Sequence, residues 1–233
     1  MCNLYTLPNP SNQLLLKLLN GNVPDWIDKD PPPLVSAFVR PIVPIVLADG
    51  SCVPASWTYM PPPPKEKMKE MGWMIQTYNA KGEELFQKRT WAEPARERRC
   101  IVPVVSYTEH QHRGKVNVPY RLFRKDGEGF LLAGLWKYYE EEKLYRFSIV
   151  TMEPNRLNRW VHNSNPRQPA IIPFDKKDFY LQGTDASSID PFLIPHDDDG
   201  IEAEVSFGLN GKTPENPPPA PPWDEAPTQA SLF

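Results

Sequence analysis

The sequence predicts an α+β protein: a single domain built on a curved, mostly antiparallel β-sheet or open barrel, flanked by short helices. Three observations carry this expectation. The segments Cys100–Tyr107, Tyr120–Phe123, Phe130–Trp136 and Tyr145–Thr151 are rich in β-branched and aromatic residues and are separated by turn residues such as Asp126-Gly127. Prolines at 31–33 and 61–64 interrupt the first third of the chain, so the elements there must be short. With 233 residues, 40% of them hydrophobic and 11% aromatic, the chain can bury one substantial core.

Taken in order, Ser11–Asn20 reads as a helix capped by Ser11 and closed before Gly21. Val43–Leu47 and the segment around Trp57 read as strands, followed by the four apolar segments above. Glu153–Val161 reads as helical after Pro154. Beyond about His196 the apolar pattern fades, so the folded domain is expected over residues 2–195 and a tail over 196–233. The tail carries eight acids against the single base Lys212, which leaves the preceding 195 residues with a net charge of +4. Seven prolines in residues 214–233 point to a disordered extension. A mildly basic body accommodates a nucleic-acid backbone; an acidic tail does not.

No run of about 18 apolar residues predicts a membrane span, and the start MCNLYTLPNP lacks the basic and apolar regions of a signal peptide. A cytoplasmic protein is expected. Cys2, Cys52 and Cys100 are odd in number and far apart, so they fit neither a disulfide framework nor a zinc site. Glu109-His110-Gln111-His112 contains an HxH pair with no third ligand nearby in sequence, and no metal or cofactor is expected.

Cysteine at position 2 is small enough for the initiator Met1 to be removed, which leaves an N-terminal 1,2-aminothiol. Its α-amine has a reference pKa of about 8 and its thiol one of about 8.5. Such a pair condenses with an aldehyde in two steps: the amine forms a Schiff base, and the thiol then closes a thiazolidine ring. An internal cysteine cannot do this, because its nitrogen is an amide.

The motifs that surround Cys2 resemble those of the SOS-response-associated peptidase (SRAP) family. Met1-Cys2-Asn3-Leu4-Tyr5 is similar to its MCGRY or MCNLY opening, and Ser56-Trp57-Thr58-Tyr59-Met60-Pro61 to its RWGLIP segment. Tyr78-Asn79-Ala80-Lys81 resembles NAR, and Arg98-Arg99-Cys100-Ile101-Val102-Pro103 follows at the spacing of RRCLIP. Glu109 falls where GFYEW places its glutamate, and Ala133-Gly134-Leu135-Trp136 matches AGLW. Val150-Thr151-Met152-Glu153-Pro154-Asn155 is close to TTEPN. Trp160-Val161-His162 with Arg167-Gln168-Pro169 resembles IHxRMP with a longer interval. Departures are Lys81 for arginine and Ala92 where the family carries another arginine.

The resemblance implies a protein that crosslinks to abasic sites in single-stranded DNA through Cys2, with Asn79, Glu109 and His162 around it. It also implies AP-lyase and autoproteolytic side activities and a monomer acting near the nucleoid. The residue types suit the chemistry. A histidine of near-neutral pKa can help open the abasic sugar ring, and a partly buried carboxyl can relay protons during imine formation. Asn79 can hold the amine or the sugar oxygen by hydrogen bonds. Candidate DNA contacts are Arg40, Trp57 and Lys81, with Trp57 either a base-stacking platform or a core residue. Arg98 and Arg99 either reach phosphate or solvate a strand edge.

Two other assignments compete. An N-terminal-cysteine hydrolase of the glutamine amidotransferase type also begins Met-Cys, and there the thiolate attacks an amide. A noncatalytic replication-fork adaptor would work through its tail alone. The tail ends in Gln229-Ala230-Ser231-Leu232-Phe233, which resembles the peptide that binds the bacterial sliding clamp, with Gln229, Leu232 and Phe233 as the contacts.

Overall fold

The computed structural model describes residues 2–61, 77–195 and 200–207. Among these, twelve strands form two sheets: β1 (Leu4–Thr6), β2 (Val35–Ser36), β3 (Ile42–Leu47), β4 (Cys52–Trp57), β5 (Asn79–Lys81), β6 (Arg99–Val104), β7 (Ser106–Arg113), β8 (Val116–Arg124), β9 (Phe130–Tyr139), β10 (Leu144–Met152), β11 (Gln168–Pro169) and β12 (Ile201–Val205). The helices are short, the longest described being Arg89–Glu97. None is long and apolar enough to cross a membrane.

The strands β3, β4, β10, β9 and β6 pair in a ring that closes from β6 back to β3. Closure leaves these strands without a free edge. Every pairing in the ring is antiparallel except β4 with β10, where Ala55–Trp57 lie beside Tyr145–Phe147. Further along the same edge of β10 the partner becomes β5, in register Ile149↔Asn79. The second sheet runs β12-β8-β7-β1-β2.

Barrel strands carry long apolar stretches because both of their faces are covered over most of their length. Ile45, Val102 and Ile149 enter one core cluster, while their neighbours Val46, Ile101 and Val150 enter a second one under the helices. That is why these segments read as continuous apolar runs rather than alternating ones.

The apolar run Cys100–Tyr107 is not one strand. It breaks at Val105, whose N–H turns aside to the Thr6 carbonyl (2.9 Å), and the chain passes from the barrel into the second sheet. Gly129 makes room for this crossing. Its φ is +80°, and a Cβ there would sit 2.6 Å from the Val104 carbonyl oxygen. At the helix Gln13–Leu18 the cap is Asn12, not Ser11: the Asn12 side chain accepts from the Leu14 N–H at 3.0 Å, whereas the Ser11 hydroxyl donates to Asn9.

The folded body also extends beyond residue 195. Ile201–Val205 pairs with β8, its Ile201, Ala203 and Val205 facing the core and Glu202 and Glu204 facing out. Glu204 sits directly across from Arg121 (2.8 Å), and Glu202 lies 3.5 Å from Lys125. Two acids counted with the tail are therefore cross-strand partners of basic residues. Residues 208–233, which include Gln229, Leu232 and Phe233, lie outside the described residues.

Candidate active site

Four elements meet where the chain begins. Strand β1 lies between β2 and β7, in register Leu4↔Ser36 and Leu4↔Thr108, so Cys2 and Asn3 run alongside Glu109. Cys2 is wholly buried and packs in the cluster that holds Tyr5 and Trp57. Asn79 opens β5, and its Nδ2 donates to Asn3 Oδ1 at 3.0 Å. The Asn79 Oδ1 is buried with no hydrogen-bond partner among the described residues, an acceptor left facing the site. Glu109 stands on β7, nearly fully buried. His162 ends the helix Arg156–Val161, which Asn155 starts by accepting from the Asn158 N–H.

The His162 Nδ1 lies 3.7 Å from a Glu109 carboxylate oxygen and 3.3 Å from the Arg167 carbonyl. A carbonyl only accepts, so Nδ1 carries the proton in the neutral ring and Nε2 keeps the lone pair. Arg167 is itself buried, held by Glu83 (2.8 Å), the Thr151 carbonyl (2.7 Å) and Glu153 (3.5 Å). It fixes the loop that aims the imidazole. A cavity of about 340 Å³ opens beside the group, lined among others by Asn3, Phe38, Glu109, His110 and His162. An adjoining cleft of about 460 Å³ shares Asn165 with it and includes Asn79, Lys81, Trp91 and Arg167.

Burial sets the protonation states. It raises the Glu109 carboxyl to about 7, against the opposing pull of the amino-terminal charge. It lowers the His162 imidazole to about 4, helped by the same positive charge. A histidine of near-neutral pKa was expected; burial instead makes it a neutral ring at pH 7. The Cys2 thiol is pushed well above the usual range by burial and then by the Glu109 charge. Among the described residues, no group of three or more His, Cys, Asp or Glu side chains is placed to hold a metal ion.

Two of the expected DNA contacts belong to the interior, and a third is engaged by a neighbouring acid. Trp57 is fully buried, stacked on Phe147 and tilted against Tyr5, with its indole N–H donating to the Tyr78 carbonyl at 3.1 Å. No base can reach it. Arg99 is also buried: its guanidinium donates to the carbonyls of Ala95, Tyr180 and Asp185 and to the Ser188 hydroxyl, tying the segment 180–188 to β6. Arg98 is paired with Glu93. Lys81 is exposed at the mouth of the second cleft, 3.9 Å from Glu84. Arg40 is half-buried with φ 51°, beside Phe38, Val39 and Ile42, which are 51%, 76% and 55% exposed. The contributions of Asn3, Arg167 and this apolar surface were not anticipated. The only signal for them was position, next to Cys2, within the RQP motif and beside Arg40.

The sequence profile described as SOS response associated peptidase (SRAP) matches residues 1–207. The chain belongs to the SRAP family. Curated relatives include abasic site processing protein YobE of Bacillus subtilis, 32% identical over 64% of this chain and 68% of that one. Abasic site processing protein YoqW, also of Bacillus subtilis, is 32% identical over 67% and 70%. The yeast abasic site processing protein YMR114C is 34% identical over 41% of this chain, which spans only 25% of the yeast protein. A crystal structure of a Bacteroides thetaiotaomicron protein superposes with a TM-score of 0.74 at 26% identity, over 88% of this chain and 92% of that one. A Bordetella bronchiseptica structure shares the fold at 20% identity, with a TM-score of 0.70 over 88% and 100% of the two chains.

Proposed function

We propose that this SRAP protein, once Met1 is removed, captures the ring-opened aldehyde of an abasic site in single-stranded DNA as a thiazolidine on Cys2. The observation that carries the reading is the meeting of Cys2 with two buried groups whose protonation states are complementary, a carboxyl raised to about 7 and an imidazole lowered to about 4. The relatives YobE and YoqW, both abasic site processing proteins, support the same substrate.

Ring opening of the abasic hemiacetal takes a proton from the C1′ hydroxyl and delivers one to the ring oxygen. Neutral His162 is suited to accept the first and protonated Glu109 to supply the second. The Cys2 amine then adds to the aldehyde, and Glu109 relays the proton that lets water leave as the imine forms. The thiol adds last: a carbon–sulfur bond forms, and the thiol proton ends on the nitrogen. One water is lost overall. Asn79 Oδ1 offers an acceptor to the amine or to the freed sugar hydroxyl, in the orientation set by Asn3. The exposed Phe38, Val39 and Ile42 offer an apolar surface on which unpaired bases can stack.

Burial holds the Cys2 thiol protonated, so its proton is carried to the nitrogen as sulfur adds to the imine; an assay for glutamine hydrolysis separates this reading from the glutaminase alternative. The test is crosslinking to an abasic oligonucleotide by the Met1-free protein and by Cys2→Ser. Wild type is expected to give a heat-stable adduct and the variant none. A heat-stable adduct from Cys2→Ser would contradict the mechanism.

A further inference from the structure

The chemistry at Cys2 leaves two imidazoles of the same cavity unused. His110 and His112 stand two residues apart on β7, so they project to one face of the strand. In the β7–β8 ladder His112 lies across from Asn117, and His110 lies across from Pro119. His110, His112 and Asn117 thus share a face, and all three line the cavity together with Asn165. Three of the chain's four histidines surround this one space. The arrangement is held rigidly: the Asn163 side chain bonds both the N–H and the carbonyl of His112, each at 2.9 Å. Among the described residues, no hydrogen bond engages the imidazoles of His110 and His112 or the side-chain amides of Asn117 and Asn165.

We propose that His110, His112 and Asn117 form an arm that grips a phosphodiester next to the abasic sugar. This rests on the abasic-site function above. A phosphodiester has one negative charge and two non-bridging oxygens, which accept several N–H donors; two imidazoles and an amide on one rigid face supply them. A metal would need a third ligand of suitable geometry, and none is placed among the described residues.

The charged groups that act on the pair are His162 at the helix end and the amino-terminal charge, whereas Glu109, which lines the same cavity, stands on the other face of the strand. Farther along that face Arg121 is taken up by Glu204, and Arg113 turns to Gln111 on the opposite face. Burial, the His112 ring and the amino-terminal charge lower the His110 pKa. A bound phosphate works the other way and draws a proton onto the pair, so the grip tightens as pH falls.

The experiment is a cycle between protein and DNA. Single-turnover crosslinking is measured for the wild type, for His112→Asn and for the double variant His110→Gln/His112→Asn. The abasic oligonucleotides carry either natural phosphodiesters or a neutral methylphosphonate at the linkage 5′ or 3′ of the lesion, at pH 6 and pH 8. At one of these linkages the methylphosphonate is expected to slow the wild type by about 3–10-fold at pH 6 and by less at pH 8. The double variant should show no such loss, and His112→Asn, whose altered side chain is exposed, should lie between. Equal losses in wild type and double variant, or no loss at either linkage, would overturn the arm while leaving the Cys2 reaction intact. Absence of any wild-type adduct with the natural oligonucleotide would instead take down the underlying function and the arm with it.

Discussion

The barrel and the seam beside it are built on opposite terms. In the barrel every strand is paired on both edges and covered on both faces over most of its length; large side chains such as Trp57, Phe147 and Ile45 fill it, and among the described residues the Ser148 hydroxyl is the one buried side-chain polar atom of these strands without a partner. At the seam, β1, β5, β7 and the end of the helix Arg156–Val161 leave two adjoining polar cavities, with a raised carboxyl and a lowered imidazole at one and, at the other, an amide oxygen without a partner among the described residues. The first arrangement makes stability; the second gives some of it up to hold groups in reactive protonation states. An aromatic or a basic residue therefore means different things in the two regions.

The largest difference should come from exchanging aromatics across this boundary. Trp57→Ala removes a fully buried ring and its indole hydrogen bond, at a cost of about 3–5 kcal/mol. Phe38→Ala, at a half-exposed rim position, should leave thermal stability nearly unchanged and weaken capture of single-stranded abasic DNA several-fold, by roughly the stacking of one base. Paired melting curves and binding titrations check this. Similar destabilisation by both variants would erase the distinction.

Glu109→Gln sharpens it from the other side. The folded state holds the Glu109 proton up to about 7, whereas the unfolded chain releases it in the ordinary carboxylate range, so stability falls as pH rises between them. Glu109→Gln is thus expected to melt higher than wild type at pH 8, by up to roughly 2–3 kcal/mol, and to crosslink roughly 100-fold more slowly. His162 has the reverse sign: with its pKa lowered to about 4, it costs stability as pH drops below the usual histidine range. A Glu109→Gln variant with wild-type rate and unchanged pH dependence of melting would show that Glu109 is neither strained nor used.

The smallest effect is expected at Lys81. It is exposed and only loosely paired with Glu84, so Lys81→Ala should leave melting unchanged. It should weaken DNA binding about three-fold at low salt and make the salt dependence shallower by about one counterion. An unaltered salt slope would place the DNA backbone elsewhere.

The same division explains what could be read from the sequence. Barrel strands were legible because two covered faces make long apolar runs, as in Phe130–Trp136. The strand Ile201–Val205 was not, because its outward glutamates look like tail composition until Arg121 and Lys125 are seen across the ladder. The helix Arg89–Glu97 is masked by Pro94, a helix breaker that here packs inward beside Trp91 and Ala95. Cys2, Asn79, Glu109 and His162 could be named from motif order, and the strand registers bring them to one place. Trp57 and Arg99 could not be placed from sequence alone. Whether an indole faces a base or a core depends on β4 lying inside a closed ring. Whether a guanidinium faces phosphate depends on carbonyls 80 or more residues away, such as that of Tyr180.

The most direct test of the central claim is the intact mass of the adduct between the Met1-free protein and an abasic oligonucleotide, recorded without a reducing agent. Condensation at Cys2 predicts the sum of the two masses less one water, with the modification mapping to the N-terminal peptide and the thiol no longer alkylated. A modification at another residue, or an adduct in which the Cys2 thiol still reacts with an alkylating reagent, would contradict the account.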